Sequence, residues 1–329
     1  MIRKDKISRA EVMKHLEKDV SRAITNYLKP VDKIWQPADI LPESDKEEFF
    51  DDLRLLQAKA KGLSYELMAV LIGDAITEEA LPTYESWLSN IHDISDDRES
   101  PWNQWIRSWT SEENRHGEIL NKYLYLSGRV NMRQMEISTQ YLLADGFDIQ
   151  TSHDPYRNFV YTSFQELATN LSHRRVAQFA KQSGDDLLGR ICGHVAADEA
   201  RHANAYKYFV KKIMPIDSSE MMLAFEDMMK KKIIMPAHFL REEGRERGSS
   251  FDHFSDVAQD IGVYTAGDYV DILKSLLQDW KVETISGLTE EAEKARDYLL
   301  NLPERLLKVA SRRKAKSTTN ARFSWIYGG

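Results

Sequence analysis

The chain has 329 residues, 42% of them hydrophobic and 29% charged, with a formal net charge of −7. That length admits one or two domains and that apolar fraction fills a large core, while the negative balance argues against general nucleic-acid binding. No run approaches the ~18 consecutive apolar residues of a membrane-spanning helix, so a soluble protein with no membrane span is expected.

Residues 1–18 lack an apolar signal core and carry Asp5, Glu11 and Glu17, which argues against a secretory signal and against an acid-poor transit peptide. The expected location is the cytoplasm, with the plastid stroma as the alternative if a transit peptide has been removed. The lone cysteine, Cys192, cannot form an intrachain disulfide and fits a reducing compartment. It lies next to Gly193 in an apolar helical stretch and reads as a small core residue.

Strand signals are scarce, and long segments of helical spacing punctuated by Gly and Pro predict an all-α fold. The first helix is expected over residues 8–28, stopped by Pro30, with Trp35-Gln36-Pro37 and Leu41-Pro42 marking an extended crossing segment. A second helix covers 49–61 and ends at Gly62. A third covers 65–90, and Pro82 inside it should kink it one turn beyond Glu78. Ser100-Pro101 has the form of a cap followed by a first-turn proline, opening a helix that ends near Gly128. Asn131 caps a shorter helix that ends at Gly146. Asp154-Pro155 repeats the cap-then-proline start for a helix closing near Gly184, and Asp185 or Asp186 begins another that Pro215 terminates. The remaining third reads as helical, with basic runs at Lys230, Lys231 and Lys232 and at Arg312, Arg313, Lys314 and Lys316. No linker is long or polar enough to divide the chain. A single domain over 1–329 is therefore expected, with a bundle core at about 64–214, an N-terminal helix and crossing segment over 1–63, and C-terminal helices and a basic tail over 215–329.

Within this helical pattern two five-residue frames repeat, Glu112-Glu113-Asn114-Arg115-His116 and Asp198-Glu199-Ala200-Arg201-His202. Residues three apart share a helix face, so Glu113 with His116, and Glu199 with His202, each offer a carboxylate and an imidazole to one point. Glu78 and Glu166 precede the two frames at nearly equal intervals, giving Glu…Glu-x-x-His twice, which is the pattern of di-iron and di-manganese carboxylate bundles. Hard carboxylates with imidazoles and open positions for dioxygen favour iron. One Glu-x-x-His alone is a weak signal, but two copies among nine histidines with matching upstream acids predict a di-metal centre. Ala196 and Ala203 flank Glu199 on its face, and Thr169 follows Glu166 by three. Small side chains there leave room beside the metals, and they read equally well as tight helix packing.

Longer stretches carry a resemblance. Ile76-Thr77-Glu78-Glu79-Ala80-Leu81-Pro82-Thr83-Tyr84, EENRHG at 112–117, LNKYLYLSGRV at 120–130, YTSFQE at 161–166, AADEARH at 196–202, MPAHF at 235–239 and FSWIY at 323–327 resemble the soluble plant-type acyl-acyl carrier protein desaturases. The likeness runs from about Trp35 to the end of the chain. It implies a ferritin-like helical bundle of about eleven helices, four of them carrying ligands, forming a homodimer around two Fe ions. It further implies insertion of a cis double bond into a saturated acyl chain carried on acyl carrier protein, at the ninth carbon for the best-known members, with O2 and electrons from reduced ferredoxin.

All six ligand positions of that family have counterparts here, namely Glu78, Glu113, His116, Glu166, Glu199 and His202. Thr169 corresponds to the threonine beside the oxygen site, Asp198 to a carboxylate that orients a ligand His, and Trp35 to a tryptophan on the electron path. Trp35 also reads as a core aromatic after a proline-rich turn. Positions near the closed end of the family's acyl channel correspond to Trp87, Asn90, Ile91 and Asn158, whose bulk suggests a shortened cavity that favours palmitoyl or shorter chains over stearoyl. The rival readings are a di-iron ferroxidase or iron-storage bundle, a ribonucleotide reductase small subunit using Tyr123, Tyr161 or Tyr206, and a helical scaffold with incidental Glu and His. Membrane desaturases are excluded, because the His-rich boxes and the spans they need are missing.

Overall fold

A computed structural model describes residues 7–89, 97–311 and 322–327, apart from the side chains at 81, 82, 85 and 87. The first helix, α1 (Arg9–Tyr27), starts with a reciprocal cap in which Glu11 N–H donates to Ser8 Oγ and Ser8 N–H donates to Glu11 Oε2. Its stripe of Val12, Met13, Leu16, Val20 and Ala23 is buried against α5 and α8, defined below. Two short 3-10 turns, Val31–Lys33 and Pro37–Asp39, carry the chain across the bundle end, and α2 (Phe49–Ala60) follows.

Helix α3 (Tyr65–Glu78) is buried almost all round, from Leu67 to Ile76, as an apolar helix inside a larger core must be. It stops at Glu78, and α4 (Leu81–Ser89) begins three residues later. This corrects the expectation of one kinked helix over 65–90. Proline is tolerated in the first turn of a helix, where its missing N–H has no partner to lose, and Pro82 occupies the second position of α4. The chain therefore turns immediately after Glu78, not one turn beyond it.

Helix α5 (Pro101–Ser127) is capped by Ser100 and ends at Gly128, whose φ of +67° is the left-handed terminus glycine favours. Helix α6 (Met132–Asp145) follows. Helices α7 (Pro155–Gln182) and α8 (Asp186–Ile213) are 28 residues each, about 42 Å long. They form a hairpin, with Asp154 capping α7 and Asp185 capping α8. Helices α3, α5, α7 and α8 form the bundle, and the four members carry all six expected ligands. Helices α9 (Ser218–Lys231), α10 (Phe251–Asp260), α11 (Ala266–Asp279) and α12 (Glu290–Ala310) cover one side, with α10 lying on α3. The described residues thus hold twelve α-helices, against the eleven or so that the resemblance implies. Near the C-terminus, Trp325 is buried and donates from Nε1 to Ser138 Oγ at 2.9 Å, and Asn131 N–H donates to Trp325 O at 2.7 Å. This ties the end of the chain onto α6.

The approach of α5 to the end of α3 depends on Gly117. A Cβ there would meet the Glu79 N and Cγ at 3.2 and 3.0 Å and the Glu78 carbonyl carbon at 3.3 Å. Two of those atoms belong to the backbone that presents Glu78, so the conflict cannot be relieved by a rotamer change. Gly117→Ala should destabilise the protein by about 1–3 kcal/mol through overpacking and lower the metal bound per chain. Thermal melting together with metal analysis checks both, and unchanged melting and metal content would contradict the account.

Candidate metal centre

The six expected donors converge. Glu78 is the last residue of α3, Glu113 and His116 lie one turn apart on α5, Glu166 is on α7, and Glu199 and His202 lie one turn apart on α8. Their donor atoms form two groups, Glu78–Glu113–His116–Glu199 and Glu113–Glu166–Glu199–His202, each within 4.8 Å. Glu113 and Glu199 belong to both, which is the arrangement of carboxylates that bridge two neighbouring cations. His116 Nδ1 lies 3.3 Å from Glu113 Oε2 and 3.1 Å from Glu199 Oε1, and His202 Nδ1 lies 2.5 Å from Glu113 Oε1. Both Nδ1 atoms therefore face the centre.

The opposite ring nitrogens face outward onto carboxylates. His202 Nε2 lies 3.1 Å from Glu112 Oε2, and His116 Nε2 lies 3.5 Å from Asp198 Oδ2. A carboxylate behind Nε2 keeps the proton there and leaves the Nδ1 lone pair for a metal. The acid preceding each Glu-x-x-His serves the histidine of the opposite helix. Glu112 on α5 backs His202 on α8, and Asp198 on α8 backs His116 on α5. The two arginines of the repeated frame hold these acids. Arg201 Nη2 donates to Glu112 Oε2 at 2.6 Å and to Asp198 Oδ1 at 2.5 Å, and Arg115 Nη2 donates to Asp198 Oδ2 at 3.2 Å. Lys29 N–H also donates to Glu112 Oε1 at 2.7 Å. Trp35 Nε1 donates to Asp198 Oδ2 at 3.0 Å, so the crossing segment is pinned to the centre.

The remaining carboxylates have partners of their own. His173 Nε2 lies 2.8 Å from Glu78 Oε1, Trp109 Nε1 donates to Glu166 Oε1 at 3.2 Å, and Thr169 Oγ1 donates to Glu199 Oε2 at 2.6 Å. Glu112, Arg115, Arg201, Trp109 and His173 were not singled out from the sequence. The first three stood in the repeated frame, and its recurrence was the available signal. For Trp109 and His173 there was none, since their partners lie on other helices. Of the positions expected at the closed end of an acyl channel, Asn90, Ile91 and the side chain of Trp87 lie outside the described residues. Asn158 is fully buried in the first turns of α7, with Nδ2 donating to Asp154 O at 2.8 Å and Oδ1 without a partner.

The electrostatics match a cation site. Burial pushes the carboxyls of Glu166 and Glu78 above the usual range, Glu166 further because Glu113 and Glu199 crowd it. Burial also opposes charge on His116 and His202, but the facing carboxylates win and hold both imidazoles well above their ordinary pKa. Burial works against ionisation of Glu112 as well, yet His202 and Arg201 bring it down to about 2. Glu113 Oε1 has only the imidazole of His202 at 2.5 Å, while Glu166 Oε2 and His116 Nδ1 are buried without hydrogen-bond partners, a costly state unless something else meets them. A pair of divalent cations bound by oxygen and nitrogen donors would do so, and the residues present fit a di-metal centre.

Two predictions follow from this geometry. Metal binding must displace protons from His116, His202, Glu166 and Glu78, all of which hold them more tightly than usual, so metal affinity should rise as pH rises and fall on acidification. Competition titrations with a chromophoric chelator at several pH values check the sign, and a pH-independent affinity would contradict it. Asp198→Asn and Glu112→Gln should each weaken metal retention about 10–100-fold while the fold stays intact by circular dichroism.

The comparisons with known proteins decide the relationship. A family model described as "Fatty acid desaturase" matches residues 8–327. The chain belongs to the fatty acid desaturase family. It is 50% identical over 324 residues to "Stearoyl-[acyl-carrier-protein] 9-desaturase 1, chloroplastic" of Arabidopsis thaliana, covering 97% of this chain and 82% of that protein. The corresponding Spinacia oleracea enzyme is 50% identical over 322 residues, covering 96% and 80%. That of Ricinus communis is 49% identical over 322 residues, covering 96% and 81%. Among solved structures, a putative acyl-ACP desaturase from Mycobacterium tuberculosis H37Rv superposes with a TM-score of 0.52 at 18% identity, covering 87% of this chain and 98% of the other. That likeness supports the fold. No helix among the described residues is long and apolar enough to cross a membrane.

Proposed function

We propose that this chain is an acyl-[acyl carrier protein] desaturase that introduces a cis double bond, at the ninth carbon, into a saturated acyl chain, as the named relatives do. The observation that carries the reading is the convergence of six donors from four helices in a chain half identical, over nearly its whole length, to stearoyl-acyl carrier protein 9-desaturases. Glu78, Glu113, His116, Glu166, Glu199 and His202 would hold two iron ions. Bound there, the iron pair supplies the oxidising power, drawn from O2, needed to take hydrogen from an unactivated methylene, a step beyond any side-chain acid or base. The overall reaction removes two hydrogens from the chain and, with two electrons and two protons from outside, turns O2 into two waters.

The protein's own residues supply position and proton control. Glu112 holds the ring of His202 by a hydrogen bond, and Asp198 faces the outer nitrogen of His116 at 3.5 Å, with both Nδ1 atoms pointing inward. Thr169 holds Glu199 Oε2 at 2.6 Å, and its hydroxyl is the nearest identified proton carrier to that carboxylate. Trp35 joins the crossing segment to Asp198 and is assigned to the electron route. Regioselectivity comes from how deep the acyl chain enters before a methylene faces the centre. Reduced ferredoxin as electron donor, and a homodimer as the working form, are part of the same proposal. Of the two basic runs, Lys230 and Lys231 are paired with Glu226 and Asp227, and residues 312–316 lie outside the described residues. Storage-bundle and reductase-subunit readings have no support among the relatives named above, all of which are desaturases.

The test is anaerobic reduction of the iron-loaded protein, addition of one acyl-acyl carrier protein and O2, and mass spectrometry of the product. One new double bond at the ninth carbon is expected. Oxygen consumption with no unsaturated product would overturn the assignment. Competition between stearoyl and palmitoyl carriers tests chain length. Asn158 at the closed end should make the shorter chain preferred, and Asn158→Gly should move the preference toward stearoyl by about tenfold, given the ~1–3 kcal/mol that a methylene contributes in an apolar pocket. A clear stearoyl preference in the unaltered protein would remove the short-cavity idea.

A further inference from the structure

Most of the centre is closed to solvent: His116 and His202 have no solvent exposure and Glu166 has 1%. A desaturase must nevertheless bring in two electrons per turnover, one at a time, from a partner too large to enter. We propose that the imidazole of His194 is the surface end of that electron route, delivering electrons through Trp35 to His116. The proposal deepens the desaturase reading and rests on it.

Three rings follow one another from the surface to the centre, each within 6.2 Å of the next. His194 is exposed on α8, and its ring centroid lies 5.8 Å from that of Trp35 at an interplanar angle of 43°. The Trp35 indole stacks on His116 at 6.2 Å and 12°. The same indole donates through Nε1 to Asp198, which faces His116 Nε2, so the inner step has a hydrogen-bonded connection beside the ring contact. Arg115 locks the indole in this position, with its guanidinium 4.5 Å over the ring and Nη1 donating to Trp35 O at 2.7 Å. The other large aromatic groups near the centre, Trp109, Tyr206 and Trp105, are fully buried. The Trp35 indole is half-buried, and His194 is the exposed ring in contact with it among the described residues.

The surface around His194 suits close approach. Gly193 and Ala197 are exposed beside it, and a Cβ added at Gly193 would meet nothing within 4 Å. Electron coupling weakens steeply across gaps filled by water and holds through atoms in contact. An exposed imidazole in contact with the indole closes that gap when an iron–sulfur carrier docks. Each transfer takes one electron from the reduced carrier and places it on the metal pair. No bond forms or breaks at His194 or Trp35, and no proton moves there.

Iron-loaded His194→Ala and His194→Phe are compared with the unaltered protein by stopped-flow absorbance of the oxidised centre, without acyl substrate. Reduced plant-type [2Fe–2S] ferredoxin at saturating concentration is one reductant, and dithionite, small enough to bypass a docking surface, is the other. His194→Ala should slow ferredoxin-driven reduction by about tenfold, equivalent to ~1.4 kcal/mol on the barrier, and leave the dithionite rate unchanged. His194→Phe, which restores a ring, should recover most of the loss. Calorimetric titration of the metal-free proteins with oxidised ferredoxin should give the same affinity for all three. Equal ferredoxin rates in His194→Ala and the unaltered protein would overturn the proposal. So would equal slowing with both reductants, or a loss of affinity that accounts for the slower rate. Failure of the chemically reduced, unaltered protein to desaturate would refute the desaturase reading instead, and the reduction kinetics are read independently of it.

Discussion

Four carboxylates, three of them buried, and two buried imidazoles meeting at one point are the constraint on which the rest of the structure depends. Isolated charges in a protein interior cost several kcal/mol each unless they are paired, and here like charges face each other across a few ångströms. Without metal, the centre copes by holding protons on His116 and His202 and by keeping Glu166 and Glu78 from ionising readily. Cations would satisfy the same electrostatic demand without protons, and Glu166 Oε2 and His116 Nδ1 have no hydrogen-bond partner in the described structure to compete with them. Metal binding and the stability of the bundle would therefore be coupled.

The second layer shows how a helical bundle solves the orientation problem. Each metal-facing histidine needs a carboxylate behind its outer nitrogen, and a residue on the same helix cannot easily reach around its own backbone to supply one. The chain uses the neighbouring helix, so that Glu112 and Asp198 cross over and Arg201 links both acids. That exchange ties α5 and α8 together at the level of the centre. The layer extends outward as well, since Lys29 and Trp35 bring the crossing segment onto the same acids. Gly117 sets how near α5 lies to the end of α3, which determines where Glu78 is presented.

Much of this was legible in the chain. Acids and histidines three apart on helices share a face whatever the surroundings, so the pairing of Glu113 with His116 and of Glu199 with His202 could be read from spacing, and the fold brings both pairs together with Glu78 and Glu166. Ser100-Pro101 and Asp154-Pro155 marked helix starts because cap and proline chemistry is local. Pro82 was ambiguous for the same local reason, since a proline is compatible with a kink and with a first turn, and only the turn at 79–80 decides between them. The crossed pairing of Glu112 with His202 was beyond reach, because both helices offered an acid at the same place and only packing determines which histidine it meets. His173 beside Glu78 and Trp109 beside Glu166 were likewise set by which helices adjoin, and no spacing within one segment records that.

Crystals of the iron-loaded protein, with anomalous diffraction measured on either side of the iron absorption edge, test the central claim most directly. Two iron peaks per chain are predicted, one among Glu78, Glu113, His116 and Glu199 and the other among Glu113, Glu166, Glu199 and His202, with both histidines bound through Nδ1. A single peak, or iron held elsewhere on the chain, would contradict the account.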